Sequence, residues 1–213
     1  MKDIAIYGAG GYGREVACLI NAIKEVEKEW NFIGFFDDGF PIGYNNEYGA
    51  ILGGINELNE YPLELPVAMA IANPSSLESI INKIKNPLID FPNLIAPDIL
   101  YFDKSTVSMG YGNIIGFHSI ISCNVRMGNF NRFNINIIIG HDVYIGNFNM
   151  FNPSTQISGE VTIGNCNFFG VGSIVLQQKH IGNYTTVGAN SVILKKTKDN
   201  CTYVGNPAIE LKY

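Results

Sequence analysis

The chain has 213 residues, of which 46% are hydrophobic and 15% are charged. A chain of this length and composition can bury one or two hydrophobic cores and is not typical of a disordered protein. The net charge is −5, and lysine and arginine never form a run of five or more. These charges argue against an electrostatic contact with a nucleic-acid backbone or an anionic membrane.

The sequence also argues against a secreted or membrane-inserted protein. No apolar run approaches the ~18 residues that a transmembrane helix needs. The first residues, MKDIAIYGAG, are typical of a strand that enters a glycine turn and not of a signal peptide. Cys18, Cys123, Cys166 and Cys201 are scattered without metal-binding spacing, which suits reduced thiols. We therefore expect a cytoplasmic protein.

Residues 1 to about 90 alternate between apolar runs and helical patterns. Three strands are predicted, at residues 4–8, 31–38 and 67–72. Two helices are predicted, at residues 14–30 and 75–84, and the second begins with serines that favour an N-cap. This order indicates a half-Rossmann α/β unit, which is a small parallel sheet of about three strands with helices packed on it.

The segment YGAGGYGRE contains a GxGxxG pattern between the first strand and the first helix. Glycine lets the backbone turn tightly and approach a diphosphate, whose charge lies at the helix N-terminus. Asp37 and Asp38 end the second strand, where a carboxylate can accept a hydrogen bond from a ribose hydroxyl. Because about three strands offer one nucleotide site, we expect a nucleoside diphosphate attached to another group and not NAD. The alternative is that the glycines only close the turn.

From about residue 105 the pattern becomes a six-residue repeat. Every sixth residue from Met109 to Ile193 is apolar, in fifteen consecutive hexads, and the next residue is glycine in nine of them. One buried apolar residue followed by a residue that is free to turn predicts short strands joined at corners, which is a β-solenoid. Three hexads make a triangular coil of 18 residues, so we expect about five coils.

Two further regularities follow the 18-residue interval. Asn113, Asn131, Asn149 and Asn167 occupy the fifth position of every third hexad, so their amides are predicted to form a ladder along the axis, unless the spacing is chance in an Asn-rich chain. The flat faces of the solenoid are expected to expose apolar side chains and to form subunit contacts. These side chains are Ile114, Ile120, Ile138, Phe148 and Phe168.

His141 and Asp142 are the part of this repeat that a solenoid does not require. Asp142 is the only formally charged residue between Phe133 and Gly159, and His141 stands at the third position of its hexad, where it is predicted to project outward. A neutral histidine takes protons near pH 7, and an adjacent carboxylate orients its ring. His118 and His180 are interpreted as solvated side chains. Cys123 has no evident base at its own level.

A half-Rossmann unit with this glycine loop, joined to a hexapeptide solenoid, resembles the bacterial hexapeptide-repeat sugar O- and N-acyltransferases of the sialic-acid O-acetyltransferase type. The UDP-4-amino-sugar N-acetyltransferases of bacillosamine synthesis are the nearest branch, and the resemblance covers nearly the whole chain. It implies a nucleotide-binding domain over 1–90 and a left-handed parallel β-helix over 91–213. It also implies a homotrimer that transfers acetyl from acetyl-CoA to the amino group of a UDP-linked 4-amino sugar, without a metal.

The resemblance assigns roles to individual residues. The segment GHDVYIG matches the family's HE-x-x-IG, so His141 takes the role of general base and Asp142, in place of the usual Glu, that of the acid that raises its basicity. The nucleotide and substrate positions fall on Gly8, Gly10, Gly11, Tyr12, Gly13, Asp37, Asp38 and Asn73. The acetyl-CoA positions fall on Met150, where the bacillosamine-type enzymes have a second histidine, and on Val171, Ala189, Gly205 and Pro207.

Three alternatives remain open. The same base would serve an O-acetyltransferase acting on sialic acid or another glycan hydroxyl. A γ-class carbonic anhydrase shares the solenoid, but it needs three histidines that converge on zinc, and here they are 23 and 39 residues apart at three different hexad positions. A trimeric scaffold that binds nucleotide sugars without catalysis would have no need of His141 beside an acid.

Overall fold

The N-terminal part of the protein is a parallel sheet flanked by helices, in a computed structural model that describes residues 1–212. The elements in chain order are β1 (Lys2–Tyr7), α1 (Gly11–Glu27), β2 (Trp30–Phe36), β3 (Ile51–Gly53), α2 (Ile55–Asn59), β4 (Leu65–Met69), α3 (Pro74–Ile81) and β5 (Ile89–Asp90). The strand order is β3-β2-β1-β4-β5, and all neighbours are parallel. The expectation of about three strands was wrong, because β3 and β5 are only three and two residues long and leave no readable pattern.

Both faces of this sheet are covered, as the apolar runs in the sequence predict. Residues Ile4 to Tyr7 of β1 are almost completely buried. The predicted second helix corresponds to α3, but its serines do not cap it. The side chain of Asn73 does so, by accepting a hydrogen bond of 2.9 Å from the backbone N–H of Ser76.

From Leu94 the chain winds into a solenoid with three parallel sheets. One sheet lies against the N-terminal part, and we call it the covered sheet. Its strands are Leu94–Ile95, Ile114–Ile115, Arg132–Phe133, Met150–Phe151, Phe168–Phe169, Thr186–Val187 and Thr202–Val204, with Ile209–Glu210 added antiparallel. The second sheet contains Leu100–Tyr101, Ile120–Ile121, Ile138–Ile139, Gln156–Ile157, Ile174–Val175 and Val192–Ile193. The third contains Ser108–Met109, Arg126–Met127, Tyr144–Ile145, Thr162–Ile163 and His180–Ile181, preceded by a 3₁₀ turn at Lys104–Thr106.

The first position of each hexad forms the core of the solenoid, as predicted. All of these side chains except Met109 are at most 5% exposed. Neighbouring coils place like side chains on one another, so that the rings of Phe133, Phe151 and Phe169 stack with centroids 4.7 Å apart. The repeat in the sequence is therefore a repeat of packed layers.

The explanation of the glycines as turning residues was wrong. The backbone turns at the fourth hexad position, where every residue from Gly112 to Asn190 has a φ between 52° and 68° and most are not glycine. The glycines at the second position have ordinary φ values and are needed because neighbouring coils approach closely. A Cβ on Gly140, for example, would lie 2.6 Å from the backbone nitrogen of Gly159.

The asparagine ladder is confirmed. Asn131, Asn149 and Asn167 are completely buried, and the side-chain oxygen of each residue accepts from the next coil. The oxygen of Asn131 accepts the backbone N–H of Asn149 at 3.0 Å and its side-chain N–H at 3.0 Å, while the amide of Asn149 also donates to the carbonyl of Gly164. A second, partly exposed ladder, which the sequence interpretation missed, joins Asn129, Asn147, Asn165 and Asn183.

The expected apolar faces are only partly open. Ile114 is 3% exposed and packs in one cluster with α1, and Phe148 packs in another with side chains of α3. The expectation was therefore wrong for Ile114 and Phe148, whereas Phe168 is half-buried on the covered sheet. Ile120 and Ile138 remain on the second sheet, where they are half-buried. Within residues 1–212 no helix has the length and apolar character required to span a bilayer.

Asn149→Ala is expected to destabilise the protein by ~3 kcal/mol, because the buried amide of Asn167 and the carbonyl of Gly164 lose a partner and the oxygen of Asn131 loses one of its two donors. Urea denaturation followed by circular dichroism measures the loss. Asn147→Ala is the matched control, since the partners of Asn147 are partly exposed and can bond to water. An equal loss in the two variants would contradict the stabilising role of burial.

Candidate active site

His141 and Asp142 form a hydrogen-bonded pair at the corner between the second and third sheets. The Nδ1 atom of His141 lies 2.8 Å from Oδ2 of Asp142, and both side chains are about half exposed, at 48% and 49%. Asp142 occupies the fourth hexad position, with a φ of 57°. The carboxylate of Asp142 therefore reaches the ring although aspartate is one methylene shorter than the family's usual glutamate. Nε2 of His141 is the ring nitrogen left to accept a proton.

Gly159 provides the space for the imidazole. It lies one coil beyond His141, and a Cβ on it would be 2.5 Å from Nε2 of the ring. The backbone carbonyl of His141 accepts a hydrogen bond of 2.8 Å from the N–H of Glu160. Any side chain at position 159 would displace the ring, because the adjoining backbone is held by the coil.

Hydrogen bonds keep the carboxylate of Asp142 ionised. The bond from His141 and a second bond, from the side chain of Asn124 at 3.0 Å, lower its pKa from the ordinary value. An ionised Asp142 stabilises the imidazolium that forms when His141 takes a proton. Asn124 was not predicted as a site residue, because it lies outside the GHDVYIG motif. Its position 18 residues before Asp142, which is one coil, is the signal in the sequence that could have identified it.

Glu160 adds a second carboxylate to this corner, and the sequence interpretation missed it as well. Hydrogen bonds from Gln178 and Gln177, of 3.0 and 2.7 Å, lower its pKa, and the charge of His141 contributes to the lowering. It stands 18 residues after Asp142, in the same column of corner residues. The corner is therefore anionic on both sides of His141.

The two other histidines are separate from this pair. His118 is 79% exposed, as expected, but Nδ1 of its ring lies 2.7 Å from Oδ2 of Asp98. His180 is exposed. Over residues 1–212, no three His, Cys, Asp or Glu side chains are grouped so that they could hold a metal ion.

Three of the expected coenzyme residues form one column. Val171, Ala189 and Gly205 succeed one another at one-coil intervals, at the corner between the covered and second sheets. Val171 is 50% exposed, and Ala189 and Gly205 are also exposed. Pro207 lies in the exposed turn that follows. This corner and the His141 corner border the same second sheet from opposite sides.

Met150 does not join either group. It is 2% exposed on the covered sheet, in register with Arg132 and Phe168. In a triangular coil this sheet is opposite the His141 corner, so one chain does not bring Met150 and His141 together. The Arg132 guanidinium is also buried here, which lowers its pKa to about 10.

Two glycines of the loop are required by close backbone contacts, and two others lie on the surface with free space beside them. Gly8 has a φ of 106°, and a Cβ on it would lie 2.7 Å from the carbonyl oxygen of Ala70, while Gly13 packs against the backbone of Gly8. A Cβ on Gly10 or Gly11 would meet nothing within 4 Å. These two residues expose the N-terminus of α1, where an anion is favoured.

The other residues that the resemblance assigns to the nucleotide make contacts inside the protein. Asp37 accepts the backbone N–H groups of Ala9 and Gly39, each at 2.7 Å, and so holds the glycine loop. Asp38 accepts the hydroxyl of Tyr7 and the N–H of Ile55. Each carboxylate keeps lone pairs for a ligand. The hydroxyl of Tyr12 is buried, which raises its pKa, and Asn73 caps α3.

Two features near these residues were not predicted. Phe40 and Tyr44 follow Asp38 in an exposed loop, and their rings stack with centroids 5.3 Å apart. A largely apolar cavity of about 280 Å³ lies between α1 and the solenoid, with Tyr12, Ile135 and Pro153 in its wall. Pro153 stands one coil before Val171, so the cavity adjoins the coenzyme column.

Comparisons with known proteins agree with both parts of the fold. Residues 3–84 match the family described as the PglD N-terminal domain. Among curated proteins, none matches the chain. The structure of WeeI from Acinetobacter baumannii AYE is 26% identical over 99% of this chain and 100% of that chain, with a TM-score of 0.88. The acetyltransferase domain of PglB from Neisseria gonorrhoeae FA1090 is 26% identical over the same shares, with a TM-score of 0.87.

A third structure is similar in fold. It is a histidine-to-asparagine variant of perosamine N-acetyltransferase from Caulobacter crescentus in complex with CoA and GDP-perosamine. It is 20% identical over 100% of this chain and 98% of that chain, with a TM-score of 0.89. Residues 3–84 therefore match the PglD N-terminal domain family, and the rest of the chain has the left-handed parallel β-helix fold of these acetyltransferases.

Proposed function

We propose that this acyltransferase moves the acetyl group of acetyl-CoA to the amino group of a nucleotide-linked 4-amino sugar, with UDP as the nucleotide. The observation that carries the proposal is the His141–Asp142 pair, whose free Nε2 lies at an exposed corner against Gly159. The PglB acetyltransferase domain, also 26% identical in its complex, binds acetyl coenzyme A. The similar Caulobacter enzyme binds CoA and GDP-perosamine.

The chemistry requires a base because a sugar amine must lose a proton to form an amide. Its nitrogen attacks the thioester carbonyl, a C–N bond forms, and Nε2 of His141 takes the proton from nitrogen. A backbone N–H of the coil stabilises the oxyanion. The C–S bond then breaks, and CoA leaves as the thiolate. Asp142 holds the ring and stabilises the imidazolium, so no covalent acyl-enzyme is required.

The site is proposed to be complete only in a homotrimer. His141 and the column of Val171, Ala189 and Gly205 lie at different corners of one coil, so neither faces the other within the chain. The second sheet between them presents Ile120, Ile138 and Ile174, which are half-buried and apolar. Packing this sheet region against a neighbouring copy brings one copy's His141 towards the next copy's coenzyme column.

The nucleotide is proposed to lie along the carboxyl edge of the N-terminal sheet. Gly10 and Gly11 would receive the diphosphate at the N-terminus of α1. The ribose would lie near Asp37 and Asp38, at the end of β2. The base would then extend towards β3, where Phe40 and Tyr44 offer aromatic surface.

Incubation with acetyl-CoA and a panel of UDP-, GDP- and CMP-linked amino sugars tests the reaction, with release of free thiol as the measurement. Thiol release with the UDP-linked 4-amino sugar is expected. The matched control is the same nucleotide sugar with a hydroxyl in place of the amine. Thiol release with the hydroxyl acceptors alone, or with none of the acceptors, would contradict the proposal.

His141→Ala is expected to lower kcat by ~10²-fold or more, the scale of lost general-base catalysis, while nucleotide binding is unchanged. Steady-state kinetics and calorimetry with UDP measure the two quantities. His118→Ala is the control, because His118 pairs with Asp98 at a separate corner. Near-normal turnover in His141→Ala would refute the assignment of the base.

Gly159→Ala is expected to lower kcat by about tenfold or more, because its Cβ would lie 2.5 Å from Nε2 of His141 and force the ring away. Ser158→Ala, in the same coil, adds no atom near the ring and should leave kcat unchanged. The assigned ring position is wrong if Gly159→Ala turns over at the normal rate.

A further inference from the structure

We infer that Asn124 is a positioning residue that acts on His141 through Asp142. Its side-chain amide holds one oxygen of the Asp142 carboxylate, so that the other oxygen stays aligned with the imidazole. The hydrogen bond between Asn124 and Asp142 does not depend on the proposed function, whereas its effect on turnover does.

The carboxylate of Asp142 is bonded at both oxygens. Nδ2 of Asn124 donates to Oδ1 at 3.0 Å, and Oδ2 faces Nδ1 of His141 at 2.8 Å. The last torsion of an aspartate is broad, so one hydrogen bond leaves a half-exposed carboxylate free to rotate. Two bonds on opposite oxygens remove that freedom and keep the ring in one orientation.

Asn124 is itself held in place. It has a left-handed φ of 56°, which asparagine tolerates, and its backbone N–H donates to Oγ1 of Thr106 at 2.9 Å. The hydroxyl of Thr106 in turn donates to the carbonyl of Asp103 at 2.9 Å. The backbone N–H of Asp142 donates to the carbonyl of Cys123, which fixes the two coils in register. The backbone of Asn124 is thus anchored at the position from which its amide reaches the acid.

Four other ionisable groups face this carboxylate. His141 lies beside it, Glu160 stands one coil beyond, and Arg126 lines the same surface hollow, as does a fourth ionisable group, Tyr144. In residues 1–212 Asp142 has no ion pair with a lysine or arginine. His141 and Asn124 are therefore its hydrogen-bond partners, and both lower its pKa.

The fold supplies a matched control at the corner between the covered and second sheets, two coils before the Val171 column, so its kinetics are measured at saturating acetyl-CoA. Asn136 also occupies a fourth hexad position, with a φ of 58°, and its Nδ2 donates to Oγ of Ser154 one coil on, at 3.0 Å. The bond is of the same kind and has the same exposure, but its acceptor carries no charge and contacts no histidine. A variant at Asn136 therefore reports the cost of losing such a bond by itself.

Kinetics test the inference in the full-length protein. Asn124→Ala is expected to lower kcat about tenfold with an unchanged KM for the nucleotide sugar, whereas Asn136→Ala leaves both unchanged. In the Asp142→Asn background, Asn124→Ala should cause no further loss, because the acid through which it acts is gone. A normal kcat in Asn124→Ala, or the same tenfold loss in both backgrounds, would overturn the inference.

A second measurement is independent of activity. The carboxyl carbon of Asp142, followed by NMR during a pH titration, should titrate at a higher pH in Asn124→Ala, because the charged form loses a donor. Asn136→Ala should not change this titration. A shifted titration in a protein that transfers no acetyl group would refute the proposed function and leave the contact intact, while an unshifted titration would refute the contact.

Thr106→Val provides a variant in which Asn124 is kept and only its anchor is removed. It is expected to change kcat and the Asp142 titration in the same directions as Asn124→Ala, by a smaller factor. This variant decides the question if Asn124→Ala loses its native circular dichroism spectrum. Unchanged kcat and titration in a folded Thr106→Val protein would then count against the inference.

Discussion

The close stacking of successive coils is the constraint on which the solenoid and its site depend. Neighbouring backbones are hydrogen-bonded strand to strand, and a Cβ on Gly140 would lie 2.6 Å from the backbone nitrogen of Gly159. At that separation each strand residue from Ser108 to Val175 has a fixed neighbour 18 residues further along the chain. Residues at equivalent positions of successive coils therefore form columns in which neighbours contact one another. Phenylalanine rings stack in the core, amides bond in the ladders, and His141 contacts Gly159 at one corner.

The sequence predicted the core and the buried ladder because both repeat the same physical requirement in coil after coil. The apolar residue at the first position of every hexad meets the same packing requirement, so the repeat is recognisable even if one position is misassigned. The turning residue was not predictable from composition. Asp142, Phe148 and Glu160 adopt left-handed φ values that side chains rarely favour. The hydrogen bonds between coils impose this conformation, and they are a property of the stack.

The sequence could not distinguish the three faces of the solenoid. Ile114 and Ile138 occupy the same hexad position, yet Ile114 is buried under α1 and Ile138 is on the second sheet. The difference arises from where the N-terminal sheet lies, and no local pattern records that. The same limit applies to Met150, which the resemblance assigns to acetyl-CoA although the fold buries it on the covered sheet. His141 and Asp142 were predictable because the packing of the solenoid does not require an ionisable residue at either position.

The acids at the His141 corner are held by amides, and this has an electrostatic consequence. Asn124 donates to Asp142, and Gln177 and Gln178 donate to Glu160. Amide donors stabilise a carboxylate without cancelling its charge, whereas a lysine or arginine would neutralise it. Both carboxylates therefore keep their negative charge near His141. In the proposed reaction, these acids would stabilise the charge that His141 gains when it takes a proton from the sugar nitrogen.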